Sequence, residues 1–285
     1  MPSKKHYPVQ RKIGITQAPG PAANSGIISC STFLSKVNHR LYRQSRTYEA
    51  KINIDGNLAD ATTVDVYALA DTWWLQGALK LARKAWEESN AEEIAMNNGH
   101  VARWNDFRVD PDLPGGFADL VPTLHSRINL STVQYVDGEF DFSTVVDQTG
   151  AARTFCLGPP SATQYNIFDE YAEQPGTSAD PEFPSTGPYS GLLPNLDAQA
   201  AAAISDDGNL PPYKADGFES GIWVKVGTLH LATGRQTVST GFFKAPLGLI
   251  ALEGIATITP DDAVNVSVEI KGGDYKGVMS HSMLE

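Results

Sequence analysis

YEAKINIDGNLADATTVDVYALA, residues 48–70, decides how this chain is read. In its first eight residues Tyr48, Ala50, Ile52 and Ile54 alternate with Glu49, Lys51, Asn53 and Asp55. TTVDVYALA at 62–70 is β-branched and aromatic, and Gly56-Asn57 breaks the run between the two. Alternation at period two puts every second side chain on one face of a strand, so the stretch predicts two strands joined at the break.

Downstream, the period changes. DTWWLQGALKLARKAWEESNAEEIAMNNG (71–99) carries Leu75, Leu79, Ala82 and Trp86 at helical spacing, with Asp71 or Thr72 as N-cap and Asn98-Gly99 as a stop. This predicts a helical insertion over 71–98. Ser89-x-x-Glu92 has the form of a capping box and predicts a break into two helices near Ser89 and Asn90. The tryptophans read as core packing. Strand patterns then return at 102–110, 127–136, 140–147 and 152–158, and again at 221–233, 236–245, 247–259 and 263–272. Between them, 159–219 is a long loop region rich in proline and glycine, with one short helix pattern at 196–204. The expected fold is mostly β, an antiparallel β-sandwich or jelly roll, with the helical insertion after its second strand. Residues 47–285 form that body.

Upstream, the composition shifts. The chain holds 33 Asp and Glu against 22 Lys and Arg, a net charge of −11, yet every acid lies at or after Glu49. Lys4, Lys5, Arg11, Lys12, Lys36, Arg40, Arg43 and Arg46 all precede it, so the first 48 residues carry +8. Such asymmetry is the footprint of a basic N-terminal arm that meets a polyanion, carried by a body that does not. Residues 1–46 are that arm. Residues 1–26, with TQAPGPAANSG, show no hydrophobic periodicity and read as flexible. Residues 31–46 read either as a short helix capped by Ser31 or Thr32, with Lys36, Arg40 and Arg43 on one side, or as an irregular lead-in to the first strand.

Catalytic signatures are missing. The sequence holds no GxxxxGK[ST], no GxGxxG after a strand, no HExxH and no GxSxG. Its six histidines are scattered, and Cys30 and Cys156, in no CxxC pair, read as small buried side chains. VDPDLPGG (109–116) offers Asp110 and Asp112 but lacks the further oxygen ligands of a calcium loop. No enzyme activity, metal or cofactor is expected. No apolar run approaches the roughly 18 residues of a membrane-spanning helix, so no membrane partner is expected either.

Two stretches carry a resemblance. VYALADTWWLQGALKLARKAWEESNAEE (66–93), leading to ARWNDFRVD (102–110), and STGFFKAPLGLIAL (239–252) are similar to stretches in capsid proteins of small circular single-stranded DNA viruses. The order of arm, strands, helix, strands, long loops and strands resembles a single-jelly-roll coat protein, most closely over 46–110 and 220–270. The resemblance implies an icosahedral shell of many copies, a place in the virion, and long loops at the outer surface or at subunit contacts. The arm would face a packaged single-stranded genome, its eight cations would contact phosphates, and Tyr42 or His39 would stack on an unpaired base. Eight such contacts give a salt slope near about −6 on single strands. A different class of reading is a β-sandwich glycan-binding surface protein, with Trp and Tyr on long loops as sugar platforms and Asp110 and Asp112 on Ca²⁺. A β-sandwich hydrolase would have only its carboxylates to offer.

Overall fold

The computed structural model describes residues 8–17, 25–58, 60–96, 104–112, 117–125, 132–134, 141–147, 149–172, 222–254 and 263–284. Strands dominate it. In chain order they are β1 (Lys12–Gln17), β2 (Ser25–Ser29), β3 (Arg46–Leu58), β4 (Thr62–Leu69), β5 (Phe117–His125), β6 (Thr132–Gln134), β7 (Thr144–Val146) and β8 (Ala152–Cys156). Then follow β9 (Gln164–Asn166), β10 (Trp223–Leu231), β11 (Gly234–Ser239), β12 (Phe243–Ala245), β13 (Leu249–Glu253), β14 (Ala263–Ile270) and β15 (Ser280–Ser282). Among the described residues three α-helices join them: α1 (Cys30–Asn38), α2 (Trp73–Met96) and α3 (Ile167–Ala172).

Eight of these strands form a ribbon folded back on itself. β1 pairs with β14, β2 with β13, β3 with β11 and β4 with β10, all antiparallel. β3 also lies beside β14, and β4 beside β13. The ribbon is thereby curled into two rows, β1-β14-β3-β11 and β2-β13-β4-β10. β5 links the rows at one side, running antiparallel to β1 through residues 120–123 and parallel to β2 through 117–119.

The curl is driven by burial. Ile13, Ile52, Ile54 and Val268 of one row share a core with Ile28, Val64, Val66, Leu229, Ile250 and Leu252 of the other. The outer face of the second row is apolar as well. Leu249 and Ala251 of β13 alternate with Ile250 and Leu252, and they join a second core with Ile27, Leu69 and Trp223. That core is covered by Trp74, Leu75, Ala78 and Leu79 of α2 and by Phe107, Phe155 and Phe168. A strand apolar on both faces must be covered on both faces, which explains why LIAL at 249–252 does not alternate in polarity.

Several expectations are corrected. Lys12–Gln17, expected to be flexible, is β1, held between β5 and β14 because Ile13 is fully buried. α1 spans Cys30–Asn38 rather than 31–46. Its N-cap is Ser29, whose Oγ accepts from the Thr32 N–H at 3.5 Å and the Thr32 hydroxyl at 2.9 Å. It ends because His39 turns left-handed at φ 53° and its N–H donates to Ser35 O. Ser29→Ala is expected to cost about 1 kcal/mol in urea denaturation, the usual worth of an N-cap. α2 does not break near Ser89. Ser89 is exposed and Asn90 half-buried, and a helix interior tolerates each at about 0.5 kcal/mol. Trp104–Asp112 is no strand beyond a bridge from Asp110 to Cys156. The expected strand over 236–245 is two, β11 and β12, both on β3 and separated at Gly241. Lys4, Lys5, the helix pattern at 196–204 and most of the long loop region lie outside the described residues.

Candidate nucleic-acid interface

The basic segment leaves α1 through the left-handed turn at His39, so Arg40, Arg43 and Arg46 do not share a helical face with Lys36. They meet instead around the turn at 271–279, on the far end of the sequence. Tyr42 is fully buried, and its hydroxyl donates to Lys276 O at 2.9 Å. The Arg43 N–H donates to the Tyr275 hydroxyl at 3.3 Å, and the Tyr48 hydroxyl donates to Arg43 O at 2.6 Å. Arg46 lays its guanidinium over the Tyr275 ring at 3.8 Å while its Nε donates to Ser280 Oγ at 2.8 Å. Lys276 donates to Leu41 O and lies 5.3 Å from the Tyr275 ring centroid. Tyr42 and Tyr275 meet edge to face, 6.0 Å apart.

Three arginines and a lysine thus converge on a tyrosine pair. Burial, reinforced by the charges of Arg43, Arg40 and Arg46 and opposed by Asp106, holds the Lys276 ammonium below its ordinary range. Burial is the larger cause, and the neighbouring guanidinium charges add to it. Arg11 extends the cluster. Its carbonyl accepts from the Ile270 N–H at 2.9 Å, and its guanidinium lies against Gly272, at the base of the same turn. The preceding residue, Gln10, is tied to Asn38 at the end of α1 by N–H to Oδ1 at 2.8 Å and Nδ2 to carbonyl at 3.1 Å. Lys12 is exposed and sits opposite Glu269 in the ladder. Lys36 lies elsewhere, lining a cavity with Arg108.

A buried polar network fixes this segment to the layer behind it. Gln44, 1% exposed, receives the Val109 N–H on Oε1 at 2.7 Å and donates Nε2 to Val109 O at 3.0 Å. Its own N–H donates to Asp106 Oδ2 at 2.9 Å. Burial pushes the Asp106 carboxyl up, against the pull of the Gln44 N–H, Arg108 and Arg43. The Ser143 N–H donates to Arg108 O at 2.8 Å, the Arg108 N–H donates to Ser143 Oγ at 2.9 Å, and Arg108 Nη2 donates to Thr32 Oγ1.

The arrangement suits recognition of phosphate by charge. It does not suit base stacking on Tyr42, which is enclosed, and one face of Tyr275 is already taken by Arg46. Lys276 was invisible to sequence reading, because nothing in GGDYKG places that lysine beside residues more than two hundred positions earlier. Elsewhere, Asp110 Oδ1 accepts from the Asp112 N–H at 3.0 Å, an ordinary turn. Among the described residues no three His, Cys, Asp or Glu are grouped to hold a metal. Cys30 and Cys156 are buried, and burial pushes each thiol up to about 12. No described helix is long and apolar enough to cross a membrane. No protein-family model, curated protein or solved structure matches the chain.

Proposed function

We propose that the chain is a viral coat protein: a jelly roll that self-assembles into an icosahedral shell, with its basic cluster turned toward a packaged single-stranded nucleic acid. The observation that carries the reading is the convergence of Arg40, Arg43 and Arg46 with Lys276 around Tyr275, in a protein of net charge −11. A local positive surface on an acidic body fits a polyanion that one face must hold and the others must not. The pairing order supports the jelly roll. A ribbon of four strands paired with four, then curled so that its third strand meets its last, is how that fold closes its two rows. The acid-free segments ahead of β1 would add Lys4 and Lys5 to the same inner surface.

The test is light scattering after size exclusion on expressed protein, reading 260 and 280 nm absorbance. A megadalton particle is expected. Changing Arg40, Arg43, Arg46 and Lys276 together to Ala should leave shells intact, reduce bound nucleic acid, and flatten the salt slope by about 3, at roughly 0.7 per lost contact. Unchanged nucleic-acid content in intact shells would sink the assignment of the cluster. A species of one to a few subunits, unmoved by salt or single-stranded DNA, would sink the shell itself, and binding of a polysaccharide by that species would put a glycan receptor in its place.

A further inference from the structure

A cavity of about 240 Å³ opens beside the start of α1, with Gln44 of the basic segment in its lining. Two features dominate its polar end. One is the N-terminal turn of α1, with Ser29 and Thr32, where the helix dipole favours negative charge. The other is Arg108, only 4% exposed, which lines the cavity and reaches Thr32 Oγ1. Lys36, one turn along α1 from Thr32, adds a second cation. Among the described lining residues Asp141, exposed, is the one carboxylate, so their charged side chains sum to +1. Ile27 of β2, Leu120 of β5 and Leu249 of β13 give the wall its apolar part, beside the Gln44 amide.

We propose that this cavity binds a monoanionic carboxylate bearing an apolar chain, its head group between Arg108 and Lys36 at the start of α1 and its body against Ile27, Leu120 and Leu249. Three observations select that chemistry. Two cations and a helix N-terminus call for an anion. Asp141 limits its charge to one, which disfavours a phosphate dianion. The apolar wall rewards methylenes over water. Burial weighs more on the Arg108 guanidinium than the attraction of Asp106, Tyr48 and Asp141 and holds it below its ordinary range, so a further anion at the head-group position relieves an existing cost. The site uses none of Arg40, Arg43, Arg46 and Lys276 and stands whether or not the protein forms shells.

Calorimetric titration of the full chain with butanoate, hexanoate and octanoate tests it, with methyl resonances of Ile27, Leu120 and Leu249 locating the ligand. Affinity is expected to rise about tenfold for each two methylenes added. Octanol, octylammonium and inorganic phosphate should bind at least about tenfold more weakly than octanoate, each lacking one half of the match. Lys36→Gln should weaken octanoate about tenfold and leave octanol unchanged, and Arg108→Gln should weaken it further. If Arg108→Gln does not fold, Lys36→Gln and Thr32→Val carry the test. Octanol binding as tightly as octanoate, phosphate displacing octanoate, those three methyls unmoved at saturation, or no saturable binding at all would each overturn the proposal.

Discussion

Gly248→Val is expected to destabilise the chain by about 4 kcal/mol, a large share of the roughly 5–15 kcal/mol available to a folded domain. The loss has two sources. Gly248 has φ 67°, in the left-handed region, and follows Leu247 at φ 56°. A β-branched residue there costs about 1–3 kcal/mol in backbone strain. A Cβ would also stand 3.0 Å from Tyr48 Cδ2, 3.2 Å from Cys30 Cβ and 3.3 Å from Ser31 N, all inside the core, and overpacking of this kind costs about 1–3 kcal/mol. The tightness has a topological reason. Pro246–Gly248 carries the chain from β12, on one row, to β13, on the other, and the crossing passes directly over Tyr48. Gly241 separates the two sources. It has φ 74° but nothing within 4 Å of its Cβ position, so Gly241→Val measures strain alone. Urea denaturation should rank the variants wild type, Gly241→Val, Gly248→Val in falling stability. Equal losses at the two glycines would remove the crowding argument.

Where the sequence was legible, one physical signal was strong and local. β3 and β4 follow from alternation, and the helical stripe of Leu75, Leu79 and Ala82 is the face that α2 buries. The strands that close the curl were harder. β1 offers only Ile13 and Ile15 across six residues, and its burial depends on β14, which arrives some 250 positions later. Trp104–Asp112 has the aromatic and β-branched composition of a strand, but side chains of Gln44 and Ser143 take the Val109 groups and the Arg108 N–H, so no ladder forms beyond the bridge at Asp110. Composition cannot distinguish those two ways of satisfying the same N–H and C=O groups. The candidate interface was legible in part. Absence of acids marked Arg40, Arg43 and Arg46, whereas Lys276 joins them only because β3 and β15 pair.

Gln44→Ala is expected to cost about 2–6 kcal/mol, far more than the loss of a half-exposed glutamine would. Its amide stands in for a strand, receiving the N–H and capping the carbonyl of Val109, a residue with no solvent exposure. Truncation leaves both backbone groups buried without that partner, at about 1–3 kcal/mol each. Gln44→Glu separates the two halves of the role. A carboxylate can still accept from the Val109 N–H, but it presents negative charge to Val109 O and stands near Asp106, whose carboxyl burial already pushes up. Protonating the new side chain restores a donor toward Val109 O and removes the charge. The Gln44→Glu variant should therefore gain stability relative to wild type as pH falls through the carboxylate range, the opposite of a residue held as a paired anion. Hydrogen exchange gives the residue-level readout. Protection of the Val109 amide should fall in Gln44→Ala and survive in Gln44→Glu, and residues 42–46 should lose protection with it, since Gln44 pins that segment between Tyr42 and Arg46. A melt within about 0.5 kcal/mol of wild type, the range of an ordinary surface change, would show that water takes over both bonds and that Gln44 is not what holds the basic segment to the body.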